Sequence, residues 1–180
     1  KGVGGNPDLG MRAAEESREE LFESIRDSDM VFVAAGMGGG TGTGAASFVA
    51  ETARKQGALT VGVVTTPFGF EGPRRREVAD YGVSQLADKV DTLITVDNDR
   101  LLSALGGEIS LEAAFAKADA VLKQGVLGIS EIVTLPGLVN VDFADVKAIM
   151  AGGGTSFMAI GEGRGKQAAA DAASRALSNP

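Results

Sequence analysis

The stretch Met30–Ala46 reads M-V-F-V-A-A-G-M-G-G-G-T-G-T-G-A-A, and its reading decides the fold. Met30–Ala35 is a continuous apolar run behind Asp27-Ser28-Asp29, the pattern of a strand buried in a parallel sheet. The eleven residues Gly36–Ala46 hold six glycines, with threonine at 41 and 43. Ala45–Gln56 has the composition of a helix, stopped by Gly57. An open α/β sheet takes its ligands at such strand-to-helix junctions. Glycines let backbone N–H groups turn inward and let a ligand approach the main chain closely. A helix N-terminus adds partial positive charge, and phosphate is the anion that fits. Gly38, Gly39, Gly40 and Gly42 are therefore candidate phosphate contacts, with the hydroxyls of Thr41 and Thr43 as further donors. So many glycines at one junction weigh against a merely flexible turn. Gly152-Gly153-Gly154-Thr155-Ser156 looks similar but follows a helix and precedes a strand, so it reads as a helix C-terminal stop.

Outward from this stretch, strands and helices alternate. Residues 8–27 read as a charged helix with Ala14, Leu21, Phe22 and Ile25 near helical spacing. Leu59–Val64 is a second buried strand, Glu71–Lys89 a long charged helix and Thr92–Val96 a third strand. Such alternation predicts a doubly wound, mostly parallel α/β sheet. Beyond Gly107 the pattern changes. Ser110 is a plausible N-cap, and Leu111, Ala114, Phe115, Ala118, Val121, Leu122 and Val126 follow one helix face. Gly125 and Gly128 weaken the far end of that helix, and Pro136-Gly137 is a turn. A short helix over Phe143–Met150, a strand near Phe157–Ile160 and an Ala-rich helix over Lys166–Leu177 complete the chain.

Composition narrows the chemistry. The 180 residues suit one domain and part of another, and 44% apolar residues suffice for a core. Against 24 acidic residues stand 17 basic ones, a net charge of −7 that argues against a nucleic-acid partner. No 18-residue apolar run or signal pattern occurs, so neither membrane insertion nor export is expected, and the reading is cytoplasmic. Cys and His are both absent. That excludes disulfides, Cys/His zinc sites, Ser-His-Asp triads and thiol catalysis. Carboxylates, Lys/Arg, hydroxyls and backbone N–H groups remain.

The glycine loop lacks the lysine of a Walker loop. Gly40-Thr41-Gly42-Thr43-Gly44-Ala45 matches a dinucleotide fingerprint, but Thr65-Thr66 stand where that motif wants an acid. The loop, together with P-F-G-F-E-G (67–72), N-D-R-L-L (98–102) and P-G-L-V-N-V-D-F-A-D-V (136–146), resembles the tubulin/FtsZ GTPase superfamily, with its motifs in family order. The likeness extends over essentially the whole chain and is closest to the bacterial cell-division branch.

This resemblance implies a Rossmann-like GTPase sheet, a long central helix and the start of a second α+β domain. Residues 1–109 would be a partial GTP-binding domain, 110–135 the core helix, and 136–180 the catalytic loop and the start of the C-terminal domain. It implies GTP/GDP and Mg2+ as cofactors, with no dedicated protein metal site. The partners it implies are further copies joined head to tail and other division proteins, at the division site. Gly38 to Gly44 would hold the phosphates, Glu71 and Arg75 would face the ribose and phosphate side, and Asn98 would lie near the nucleoside. Phe115 and Asp119 would stack on and hydrogen-bond the guanine, whose edge offers two N–H groups to a carboxylate. Read as residues alone, Glu71 and Arg75 are equally a helix-start acid and an exposed charge, and Phe115 is equally core. Asp142 looks like an N-cap with Asp145 three residues on. In the family, the loop bearing Asn140, Asp142 and Asp145 completes hydrolysis at the next subunit's nucleotide. Both readings of that loop stand together, since a cap fixes its carboxylate.

Gly4-Gly5-Asn6-Pro7 resembles another nucleotide-side loop, preceded by a shorter small-residue run than usual. Further departures are Asp97, where the family usually has proline, and Ala120, where it usually has a polar residue. The family's first strand and first phosphate loop are not in this sequence, so a fragment with exposed apolar faces and weak GTP binding is expected. A binding or interaction module without turnover and a Rossmann-type dehydrogenase remain the alternatives. Turnover separates the first from a GTPase, and guanine selectivity separates the second.

Overall fold

The structure, a computed structural model, describes residues 2–105, 109–135, 141–156 and 161–178. Its elements in chain order are α1 (Pro7–Glu16), α2 (Arg18–Ile25), β1 (Met30–Gly36), α3 (Thr41–Lys55), β2 (Leu59–Thr66), α4 (Pro73–Ala87), β3 (Thr92–Asp97), α5 (Asn98–Leu105), α6 (Leu111–Thr134), α7 (Phe143–Met150), β4 (Gly154–Thr155) and α8 (Ala168–Ser178). A 3-10 turn, Gly69–Glu71, precedes α4. The four described strands form one parallel sheet in the order β1-β2-β3-β4.

The period-2 alternation of β2 explains the layering. Leu59, Val61 and Val63 face one side and meet Ile94 of β3, Ile129 of α6 and Val146 of α7. Val64, from the other face, packs with Val33 and Leu93 against Ala46 and Ala50 of α3 and Ala79 and Leu86 of α4. Helices on both faces of a parallel sheet make the expected Rossmann-like α/β arrangement. Every residue of β2 is buried, as a strand covered on both faces requires. Small residues let the helices sit close: a Cβ on Gly82 of α4 would lie 2.3 Å from Thr43 Cγ2 of α3.

Several boundaries differ from the sequence reading. The first helix is two, broken at Ser17, whose N–H bonds back to Ala14 and Glu15 carbonyls. β1 is an edge strand among the described residues, with Ala34 and Gly36 exposed rather than buried, because only β2 pairs with it. α3 begins at Thr41, so half of the glycine run is the first helical turn. The helix read from Glu71 begins at Pro73, whose ring suits the first helical position. α6 runs unbroken through a buried Gly125, capped by the Ser110 Oγ, which accepts from Ala113 N–H at 3.2 Å. Its core stripe is Ala114, Ala118, Leu122, Val126, Ile129 and Val133, leaving Leu111 and Phe115 outside it. The glycines after α7 do end that helix: Gly152 takes φ +67° and Gly153 N–H bonds to Met150 O. The turn at Pro136-Gly137 and the strand near Phe157–Ile160 fall outside the described residues.

Candidate functional site

The carboxyl ends of β1, β2 and β3 lie along one edge of the parallel sheet, and the glycine loop leaves β1 there. Met37 N–H donates to Thr65 O at 2.9 Å, which anchors the loop to β2. Gly38 takes φ +95°, and its N–H donates to Thr43 Oγ1 at 3.0 Å. Thr43 is buried by that bond and by Gly82, yet its hydroxyl proton remains able to donate. Thr41 is exposed at the first turn of α3.

The glycines have different reasons for being glycine. A Cβ on Gly40 would lie 2.4 Å from Val3 Cγ2 and 2.8 Å from Asn6 N, and one on Gly42 2.7 Å from Gly36 O. One on Gly44 would lie 1.9 Å from Pro7 O, and one on Gly38 2.7 Å from Arg75 O. These four are glycine because backbone of the same molecule occupies the space. Gly39 alone in the run from Gly38 to Gly44 has no atom within 4 Å of a built Cβ. It faces a cavity of about 310 Å³ lined by Gly4, Gly5, Gly38, Glu71, Arg74 and Arg75. The second loop is fixed by α1, where the Asn6 side chain accepts from Asp8 N–H at 2.9 Å and caps the helix.

The cavity thus unites Gly38, Gly39, Glu71 and Arg75 of the expected set with the Gly4-Gly5 loop. It adds Arg74, which the sequence reading passed over although it stands in the run R-R-R. Glu71 is fixed on both oxygens: Oε1 accepts from Phe68 N–H at 2.9 Å and Oε2 pairs with Arg75. Backbone N–H groups, two guanidiniums and one nearly buried carboxylate can bind a phosphorylated, hydroxyl-bearing ligand.

Phe115 lies outside that cavity but is joined to it by the Phe68–Glu71 segment. Phe68 is buried and stacks on Phe70 at 5.0 Å between centroids, and Phe115 meets Phe68 edge-on at 5.3 Å. Phe115 itself is 41% exposed, so a ring face is open for stacking. Asp119 is exposed one turn further along α6. Asn98 opens α5 rather than lying in a loop before it, and it is buried with Oδ1 lacking a hydrogen-bond partner. Thr66 Oγ1, at the adjacent end of β2, is buried and unpartnered too. Two orphaned polar atoms at one sheet edge suit a polar ligand there.

Asp142 and Asp145 lie elsewhere. Asp142 caps α7, its Oδ1 accepting from Ala144 N–H at 3.3 Å, and both carboxylates are exposed. Asn140 lies outside the described residues. α7 is pinned to the opposite, amino-terminal sheet edge: Lys147 Nζ donates to Gly57 O at 3.4 Å, and Thr92 Oγ1 donates to Met150 O at 2.7 Å. The eight residues of β2 span about 25 Å. Asp142 stands about 8 Å along α7 from Lys147. More than about 15 Å therefore separates these carboxylates from the glycine loop.

The fold has counterparts among known proteins. The family model described as "Tubulin/FtsZ family, GTPase domain" matches residues 1–106. An empty FtsZ dimer from M. jannaschii is 49% identical over 99% of this chain and 52% of its own, with a TM-score of 0.93. An FtsZ mutant from M. jannaschii is 49% identical over 99% of this chain and 54% of its own, with a TM-score of 0.94. A GDP-bound CetZ1 monomer from Haloferax volcanii is 28% identical over 88% of this chain and 47% of its own, with a TM-score of 0.69. The chain spans about half the length of these structures.

Proposed function

The chain belongs to the Tubulin/FtsZ family and is FtsZ-like, and on that premise we propose that it is part of a GTP-binding, GTP-hydrolysing cytoskeletal protein that polymerises head to tail in the cell-division ring. Its place would then be the cytoplasmic side of the division site, with other division proteins as partners. A bacterial source rests on the motif resemblance alone, since the similar structures come from M. jannaschii and Haloferax volcanii. Among the described residues no helix is long and apolar enough to cross a membrane. Residues 1–109 would supply the nucleotide pocket, 110–135 the core helix, and 136–180 the acidic loop and the start of a second domain.

On this reading Gly38, Gly39, Gly40 and Gly42, with Thr41 and Thr43, hold the phosphates, and Gly4-Gly5 closes the other side. Gly40 and Gly42 act by admitting the main chain of neighbouring segments, and Gly39 presents its backbone to the ligand. Arg74 and Arg75 neutralise negative charge, Glu71 accepts from ribose hydroxyls, and Asn98 meets the nucleoside. Phe115 stacks on guanine, and Asp119 accepts from its N–H groups. No group of three or more acidic side chains placed to hold a metal ion occurs among the described residues. A Mg2+ ion would therefore be held chiefly by phosphate oxygens and water, where it would offset charge on the leaving phosphate.

One observation carries the mechanism: the open Gly39 cavity and the carboxylates of Asp142 and Asp145 sit at opposite sheet edges. Within one chain these groups are too far apart to meet. In a head-to-tail pair the acidic loop of one copy meets the nucleotide of the next, where Asp142, Asp145 and Asn140 orient and polarise the attacking water. The alternative, nucleotide binding without turnover, follows from the same geometry if copies do not assemble.

The test is GTP turnover and GTP-dependent sedimentation of the complete parent protein, of which this chain is part, mixed with its Asp145→Asn or Asp142→Asn variant. Asparagine keeps size and capping ability. We expect GTP binding to persist, hydrolysis to collapse and mixing to poison the parent's turnover. Loss of binding in step with activity, or parent turnover indifferent to mixing, sinks the trans reading. Binding without turnover in the parent favours the alternative.

A further inference from the structure

Asp97 departs from the family pattern, and nothing in the proposed pocket uses it. Its neighbour Asp99 reaches 30 residues back along the chain. Gly69 N–H donates to Asp99 Oδ1 at 2.8 Å. The bond is solvent-exposed, and a Cβ on Gly69 would make only ordinary contact with the carboxylate, 3.4 Å from Asp99 Oδ2. Asp99 is steadied in turn, since its own N–H donates to Asp97 Oδ1 at 3.0 Å. Arg76 closes the cluster, with Nη1 3.7 Å from Asp99 Oδ2, Nη2 3.6 Å from Asp97 Oδ2 and Nε 3.8 Å from Asp80 Oδ1.

The location gives this cluster its meaning. Arg74 and Arg75 line the Gly39 cavity. Arg76 comes next on α4, turned about 100° round the helix, and faces β3 and α5 instead. The segment it helps to hold, Phe68–Gly72, carries Phe68 and Phe70 against Phe115 at one end and Glu71 in the cavity at the other. Asp99 follows the buried Asn98 directly, so its bond to Gly69 ties the start of α5 to this segment.

We infer that Asp99, backed by Arg76 and Asp97, is a positioning residue that latches the Phe68–Gly72 segment in the place that lets one wall serve both the nucleoside and the ribose ends of the pocket. The inference rests on the nucleotide reading given above. The backbone-to-carboxylate bond is the main tie. The Arg76 pairs are long and partly exposed, so they support it only weakly. A latch on the nucleoside side acts on GTP and GDP alike, because both carry the same base and ribose.

Asp99→Ala, Asp99→Asn and Arg76→Ala in the full chain test it, with GTP and GDP affinities from calorimetry, turnover at saturating GTP, and amide exchange over residues 68–72. Asp99→Ala should weaken both nucleotides by the same factor, about tenfold. It should leave saturated turnover unchanged and speed exchange at Gly69. Asp99→Asn keeps a carbonyl acceptor for Gly69 and should recover most of the affinity and protection. Arg76→Ala should lose less than Asp99→Ala. Unchanged affinity in Asp99→Ala, a loss confined to GTP, or no rescue by asparagine overturns the latch. If the parent binds neither nucleotide, the nucleotide reading falls instead. Gly69 exchange then decides the latch, and equal protection in parent and Asp99→Ala overturns it.

Discussion

Gly44→Ala and Gly39→Ala place the same methyl group five residues apart in one loop, yet they should have opposite consequences. At Gly44 the added carbon would lie 1.9 Å from Pro7 O and 2.7 Å from Met11 N, both backbone atoms of α1. Neither can rotate away, so α1 must slide against α3 by roughly 1.5 Å to regain van der Waals distance. Such overpacking costs about 1–3 kcal/mol, and more where backbone must move. Alanine in a helix returns about 1 kcal/mol through propensity. With backbone on both sides of the contact the cost lies at or above the upper end of that range and the clash wins, with a net loss of about 1–2 kcal/mol and a Tm fall of about 2–8 °C for a chain of this size. At Gly39 the methyl meets nothing within 4 Å, and its φ is not positive. Alanine there restricts the unfolded chain and adds up to about 1 kcal/mol of stability. The methyl instead occupies the side of the backbone that faces the cavity, and GTP affinity should fall about tenfold, or 1.4 kcal/mol. Thermal melts by circular dichroism and GTP titration by calorimetry read the two effects separately. Equal Tm losses in both variants, or a Gly39→Ala protein that binds GTP as the parent does, would refute the division of the loop into packing and ligand glycines.

Two further outcomes follow from single side chains. Asp119→Ala should erase any preference for GTP over ATP while leaving the melting temperature near that of the parent, because Asp119 is exposed; equal GTP and ATP affinity in the parent already removes its assigned role. Glu51 is held to a pKa of about 2, below its ordinary 4.5, first by its hydrogen bond with Lys55 and then by Lys89. A carboxylate depressed in the folded state stabilises fully above about pH 4.5, and the effect fades as pH falls toward about 2. With 37% of the side chain exposed, screening limits the effect to about 0.5 kcal/mol. Urea unfolding of Glu51→Gln should therefore show that deficit at neutral pH and none near pH 2, and a deficit constant across that range contradicts the ion pair as its source.

Periodicity made β2 readable. Leu59, Val61 and Val63 alternate with residues of the other face, and a strand covered on both faces has no polar side to disguise it. The direct strand–glycine–helix succession likewise pointed to the carboxyl edge of the sheet, where the structure has the Gly39 cavity. What could not be read is which glycine faces the cavity. That depends on what stands opposite each one, and for Gly38, Gly40 and Gly44 the opposing atoms belong to Arg75, Val3 and Pro7, more than thirty residues away, while only Gly42 meets a near neighbour, Gly36 O. Arg74 and Arg76 were equally opaque within R-R-R, because their directions are set by where α4 starts, and the start moved from Glu71 to Pro73. Phe115 sat in the apolar list for α6, yet the core stripe passes beside it, since Phe68 and Phe70 draw its ring toward the loop. Asp97 stood out only as a departure, and its partner Arg76 comes into view only once β3 and α4 are packed.

On the proposed reading, the sheet itself ties the pocket to an assembly. All described strands run parallel, so the glycine loop after β1 and the segment after β2 leave from one edge, and α7 is fastened to the other by Gly57 and Thr92. A patch at one edge that fits a patch at the other is heterologous, and repeating that contact without closure builds an open filament. On the proposed reading, placing the acidic loop of one copy over the nucleotide of the next also orients each added copy the same way. Catalysis then depends on a contact that exists only in the filament. A free subunit, holding both halves more than about 15 Å apart across its own sheet, would keep its nucleotide until a neighbour arrives. On that reading, the distance across one sheet is what would couple hydrolysis to assembly.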